Sequence, residues 1–202
     1  MIEALHFKDE KTEKFWFVET LVCEMMVNYG KTGTTGKYKI KEFDNNQDCE
    51  KEALKLINSK KKKGYEEFVE FDRNNHYYFD DEEYGLNPLT SHPTFRKYFS
   101  DEIYYDCGDE EAPFGSDEGH DAFSELEESV RKKKKINFFD FPRVIIEEIW
   151  EMDYLTPDLK KTDEELKTQA KLNYNGLPGE QIILQSDQVI LAVTFGQAKI
   201  TG

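Results

Sequence analysis

Little in this sequence invites the chemistry of an enzyme. Its 202 residues include three cysteines and four histidines, His6, His76, His92 and His120. Cys23, Cys49 and Cys107 are odd in number and widely spaced. They form neither a paired metal-binding motif nor a disulfide framework, and a reduced, cytoplasmic setting is expected. Cys107 lies among Asp106, Asp109 and Glu110, a negative setting unsuited to a nucleophilic thiolate. No apolar run approaches the roughly 20 residues needed to cross a bilayer, so no membrane partner is expected. The opening MIEALHFKDEK carries acidic residues early and lacks an apolar signal core. No G-x-S-x-G elbow, Walker loop or dinucleotide fingerprint is present. These absences leave a binding protein as the expectation, not an enzyme, and nothing implies a cofactor.

What is present is aromatic and acidic. Phe, Trp and Tyr make up 14% of the chain, which argues for a packed interior despite 34% charged residues. The formal net charge is −15, unevenly placed. Met1–Arg73 holds 14 Lys and Arg against 15 Asp and Glu, whereas the rest holds 13 against 27, a net of −14. Asymmetry of this size predicts two domains with different surfaces. It also confines any contact with phosphates, which needs local positive potential, to the first of them. The domains are read as 1–73 and 86–202, joined by a polar, acidic and aromatic connection over 74–85.

The first part is the more readable. Phe15–Thr20 and Met25–Tyr29 are rich in aromatic and apolar residues and predict strands. Gly30, Gly33 and Gly36 follow where the chain must turn tightly. In Lys37–Phe43 the period of two places Tyr38 and Ile40 on one face and Lys37, Lys39 and Lys41 on the other. After the turn-forming run Asp44–Asp48, Cys49, Ala53, Leu56 and Ile57 recur at helical spacing. Gly64 suits the position just past a helix end, and Tyr65–Glu70 predicts a last strand. The fold class is therefore α+β: a small antiparallel sheet with one packed helix, followed by a mostly α-helical acidic domain.

This order of parts resembles a WGR domain, which is named for a Trp-Gly-Arg tripeptide in the central strand pair. Here Tyr29, Gly30 and Lys31 stand at the tripeptide positions. Gly33, Thr34 and Gly36 follow as the glycine turn, with Lys41, Phe43, Ala53 and the KKKKGY run at Lys60–Tyr65 in the remaining places. Together with the PFGSDEG segment at Pro113–Gly119 and the FGQAKITG segment at Phe195–Gly202, the chain is similar overall to the bacterial YfeS group. The resemblance implies nucleic-acid contact, since WGR domains are associated with it. Tyr29 would then stack in place of the family Trp with less surface. Lys31 would keep the charge of Arg but lose its bidentate geometry. The expected contact set is Tyr29, Lys31, Lys37, Lys39, Lys41, Lys60, Lys61, Lys62 and Lys63. The lysine run also has a plainer reading, as cations opposing the macrodipole in the last helical turn.

The second domain predicts helices with less chemistry. His92–Phe99 reads as a short helix. Ser116 reads as an N-cap, with Asp117 and Glu118 in the first turn and Phe123, Leu126 and Val130 on the buried stripe. A second helix starts near Pro142, with Val144, Ile145, Ile149 and Met152 as its apolar face. Thr162 and Glu165 have capping-box spacing ahead of a third. In Gln181–Phe195 the spacing of Ile182, Val189, Ile190 and Val193 fits a fourth helix, while the β-branched content argues for a strand, and helix is the expectation. Asp117, Glu118, His120 and Asp121 form the best candidate metal or acid–base cluster. Helical geometry, however, would fan adjacent residues about a hundred degrees apart. The leading expectation is weak nucleic-acid contact through residues 1–73. The alternative is a protein–protein adaptor whose acidic second domain docks on a basic partner.

Overall fold

The computed structural model describes residues 1–202, which divide into two compact units. The first comprises Met1–Ser100 together with Lys199–Gly202, and the second Asp101–Ala198. No helix is long and apolar enough to cross a membrane.

In the first unit, β1 (Ile2–Lys8), β2 (Glu13–Leu21), β3 (Glu24–Lys31), β4 (Lys37–Glu42) and β5 (Glu66–Glu67) form one sheet in the order β4-β3-β2-β1-β5. Every neighbouring pair is antiparallel. The central strand β2 is buried on both faces from Phe15 to Glu19, so its near-continuous aromatic run marks a strand covered on both sides. One face carries α1 (Asn46–Lys62), whose Cys49, Ala53 and Ile57 pack with Leu5, Trp16, Val18 and Met25. Asn45 caps this helix by accepting from the Asp48 N–H at 2.9 Å. Gly64 follows with φ of +84°. The lysine-alternating β4 behaves as its pattern predicts, with Tyr38 and Ile40 buried and its lysines exposed.

The opposite face is covered too. Phe71 stacks on Phe17 at 4.9 Å and on Phe15 at 5.9 Å, and Tyr78 packs on Tyr38 at 5.9 Å. Asn74–Gly85, read from the sequence as a connection, lies inside this layer: Tyr78 and Phe79 are fully buried. The signal was its aromatic content, which a solvated linker has no use for. Asp81, also buried, accepts from the Ile40 N–H at 2.7 Å and so satisfies the outer edge of β4. Tyr65–Glu70, expected as a full strand, supplies only the two residues of β5: Phe68 N–H still donates to the Ala4 carbonyl at 2.9 Å, and the chain then turns away, with Phe71 N–H on the Phe68 carbonyl. The unit is closed by α2 (Pro93–Tyr98) and by the last residues of the chain. Tyr78 N–H donates to the Ile200 carbonyl at 3.1 Å, and His92 N–H to the Lys199 carbonyl at 2.8 Å. Lys199, fully buried, pairs with Asp80 at 2.7 Å.

The second unit is mainly helical: α3 (Asp117–Arg131), α4 (Phe141–Arg143) continuing as a π-helix over Val144–Ile149, α5 (Asp163–Ala170) and α6 (Gly179–Thr201), whose last three residues belong to the first unit. A short hairpin, β6 (Asn173–Tyr174) and β7 (Leu177–Pro178), precedes α6. Ser116 caps α3 through the Gly119 N–H at 3.0 Å, and Thr162 and Glu165 complete a capping box on α5. The π-helix changes one expected face. With Trp150 N–H donating to the Ile145 carbonyl five residues back, the buried pair is Ile145 and Ile146, and Ile149 is turned 42% into solvent. Helices α3 and α6 touch at Gly196, where a Cβ would come within 2.7 Å of the Phe123 ring.

Candidate nucleic-acid interface

The helix α1 does not cover the whole of its sheet face. Its last turn places Lys60 over the Trp16 ring, and beyond it Lys14, Tyr29, Lys31 and Lys37 are exposed. Register fixes what stands there. Trp16 lies directly opposite Tyr29, Tyr29 opposite Lys37, and Lys14 opposite Lys31. All share one face, because residues two apart on a strand point the same way. Trp16 is 3% exposed and forms the floor, whereas Tyr29 is 40% exposed and offers its ring to solvent.

The cations around this ring differ in how far they are engaged. Lys60 lies over two aromatic rings, 5.5 Å from Trp16 and 5.0 Å from Tyr65. Burial presses its ammonium below the usual lysine range, and the charges of Lys63 and Lys14 press it further. Lys14, Lys60 and Lys63 therefore converge. Lys14 also sits cross-strand from Lys31, an arrangement of like charges that costs stability in a sheet. Lys14 was absent from the expected contact set. Its position two residues before Trp16, opposite the tripeptide lysine, is the signal that locates it, but only once the register is known.

The other expected residues are placed as follows. Lys31, Lys37, Lys62 and Lys63 are exposed. Lys41 lies 4.9 Å from the Phe43 ring. Lys61 pairs with Glu3 at 2.8 Å. Lys39 reaches round the sheet edge to Asp81 at 3.0 Å, with Glu83 at 3.8 Å. Its hydrogen bond to Asp81 holds its ammonium above the usual range. Lys39 and Lys61 are thus partly neutralised by the protein's own carboxylates, and the freest positive charge is on Lys14, Lys31, Lys37 and the Lys62–Lys63 end of α1.

The glycine turn is held from below. Asn28 Nδ2 donates to the carbonyls of Thr35 at 3.0 Å and Lys37 at 3.2 Å. Gly36 has φ of +71°, and a Cβ there would meet Phe15 at 2.6 Å and the Tyr29 carbonyl at 2.8 Å. Glycine at this position serves both conformation and space.

The acidic cluster in the second unit does not assemble. Asp117, His120 and Asp121 are exposed at different angles around α3, and Glu118 is half-buried. No group of three or more His, Cys, Asp or Glu side chains is arranged to hold a metal ion. Asp117 and Glu118 stand in the first turn of α3, where their charge suits the helix dipole.

A five-stranded antiparallel sheet crossed by one helix, with a glycine turn after a Tyr-Gly-Lys strand end, defines a WGR-type module, and the WGR domain model matches residues 1–72. Over 196 residues the chain is 45% identical to the uncharacterized protein YfeS of Escherichia coli strain K12, covering 97% of this chain and 78% of that one. The chain belongs to the YfeS family of WGR-domain proteins. It is also 44% identical over 61 residues to protein YehF of the same organism, covering 30% of this chain and 22% of that protein. A crystal structure of a Bacteroides fragilis protein is 30% identical, covering 52% of this chain and 31% of the other, at a TM-score of 0.34.

Proposed function

We propose that this is a non-enzymatic cytoplasmic protein whose first unit binds nucleic acid across the exposed sheet corner around Tyr29. The observation that carries the reading is the Lys14–Lys31 pair beside the exposed Tyr29 ring, with Lys60 crowded by Lys63 and Lys14. Like charges facing each other across a strand pair carry a cost in the free protein. A phosphate chain offsets that cost on binding, and an aromatic ring beside it can stack on a base or sugar. Lys31, Lys37, Lys62 and Lys63 supply the remaining phosphate contacts, with Lys39, Lys41, Lys60 and Lys61 as a rim already engaged by the protein itself.

Titration of labelled single- and double-stranded DNA and RNA with the full chain, at two ionic strengths, tests this. Affinity should fall with salt at a log–log slope near −0.9 per phosphate contact for duplex DNA and about −0.7 for single strands. Absence of binding at low salt would remove the proposal. The full chain is used because Tyr78, Phe79, Leu89 and Phe95 and residues 199–202 belong to the same compact unit as the sheet.

A second reading rests on the second unit. Asp101–Ala198 holds 10 Lys and Arg against 23 Asp and Glu, and Phe139 stands 96% exposed. An acidic surface with an unburied aromatic suits docking on a basic protein. A pulldown with the full chain distinguishes the two. Recovery of the same basic protein after nuclease treatment favours docking, and recovery of nucleic acid alone counts against it.

A further inference from the structure

The second unit contains a cavity of about 450 Å³ between α5, the N-terminal half of α6 and the extended chain at 155–159. This lies within the ~300–1,000 Å³ typical of small-molecule sites. Its walls are mainly apolar, formed by Leu155, Pro157, Leu166, Ala170 and Ile183. Leu166 is 40% exposed and Leu159 is fully exposed, so apolar surface at the mouth is left in water. The backbone of the 155 segment is tied to α6 by the Leu155 N–H, which donates to Ser186 Oγ at 3.2 Å.

Three carboxylates, Asp158, Glu180 and Asp187, and two lysines interrupt this apolar lining. Asp187 lies on the α6 face that also presents Glu180 and Ile183, at spacings of seven and four residues. Asp187 is exposed at the cavity wall and has no hydrogen-bond or ion-pair partner, and the partial burial it does have raises its carboxyl above the usual range. The two lysines lining the cavity do not serve it. Lys161 Nζ donates to Gln169 at 2.5 Å, and Lys167 pairs with Glu164 at 3.2 Å. Glu180 and Asp158, both exposed, add negative potential. Three carboxylates around an apolar wall, with both lining lysines engaged elsewhere, leave a negative potential that an arriving cation satisfies. The apolar walls and exposed leucines favour a ligand with an apolar body.

We infer that this cavity is a binding site for a small organic ammonium ion, with an apolar body against Leu166 and Ile183 and its charged nitrogen on Asp187. The site is independent of the nucleic-acid face. It is tested by isothermal titration of the full chain with phenethylamine and with phenethyl alcohol, a neutral molecule of similar shape. At pH 7.5 the amine should bind at least tenfold more tightly, and that advantage should shrink as the solution is acidified and Asp187 takes up a proton. Asp187→Asn should bring the two probes to equal affinity with an unchanged circular dichroism spectrum. Amide shifts in the unsubstituted protein should centre on Leu166, Ala170 and Ile183, a readout that survives if the variant does not fold. The inference is overturned if the unsubstituted protein binds both probes equally or binds no amine. It is overturned equally if shifts centre elsewhere, or if a folded Asp187→Asn variant keeps the preference.

Discussion

Asn28 Oδ1 lies 2.9 Å from His76 Nε2. Because Asn28 Nδ2 is already committed to the Thr35 and Lys37 carbonyls, its Oδ1 can only accept, and Nε2 must carry the proton. His76 is enclosed by Phe15, Phe71 and Tyr78, with ring centroids at 5.1 to 5.9 Å. Burial lowers its pKa to about 4, with the Thr35 carbonyl acting weakly the other way. One buried imidazole thus props the asparagine that props the glycine turn.

Acidification should therefore weaken the first unit. An unfolded histidine takes up its proton near pH 6.5, while the folded one resists until about 4. The stabilisation is complete above pH 6.5 and is lost as pH falls towards 4, a difference on the order of 3 kcal/mol. Urea unfolding at several pH values between 7.5 and 4.5 should show the decline, and His76→Gln should flatten it. An unchanged slope in the variant would assign the decline to other groups.

Relieving the Lys14–Lys31 opposition should separate stability from binding. Lys14→Gln removes one of two like charges facing each other across the sheet, and should raise stability by ~0.2–1 kcal/mol. The same change should weaken polyanion binding and reduce the salt slope by nearly one contact. Paired measurements of thermal midpoint and binding slope check both signs.

Gly36→Ala should damage the turn. The substitution places a Cβ where φ is +71° and where Phe15, the Tyr29 carbonyl and Asn28 Nδ2 all lie within 2.9 Å. A loss of about 2 kcal/mol or more is expected, with loss of the His76–Asn28 hydrogen bond. Equilibrium unfolding and the histidine side-chain resonances would register it.

Val22 should yield the opposite result. It occupies the first position of the two-residue loop between β2 and β3 at φ of +52°, and is 71% exposed. A β-branched residue is strained there. Val22→Gly should stabilise the chain by about 1 kcal/mol despite the added freedom of glycine in the unfolded state. A lower midpoint in thermal unfolding would count against this assignment of strain.

The sheet, its helix and its caps were legible because each rests on short-range pattern. The alternation in Lys37–Phe43, the stripe Cys49-Ala53-Ile57 and the capping residues Ser116 and Thr162 are all spacings within one element. β1 escaped notice since IEALHFK is short and mixed, and it becomes a strand through pairing with β2. Lys14 was missed for a related reason. Its place opposite Lys31 comes from pairing across a hairpin, and cross-strand register is set by the turn at Val22–Cys23, which carries no glycine or asparagine to announce it. The engagement of Lys39 by Asp81 spans 42 residues, so no local pattern could reveal that a lysine on an evident basic face is already taken.

The closing of the first unit by residues 199–202 sets an order on biosynthesis. Those residues follow the whole second unit in the chain, yet Lys199 supplies the counter-charge for Asp80, and the Ile200 carbonyl receives the Tyr78 N–H. A nascent chain can pair β1 to β4 and seat α1 early, but Asp80 stays without its buried cation until translation has passed residue 199. The amino-terminal module begins first and gains its latch late, so a ribosome that stalls before residue 199 holds a chain whose sheet is formed but unlatched.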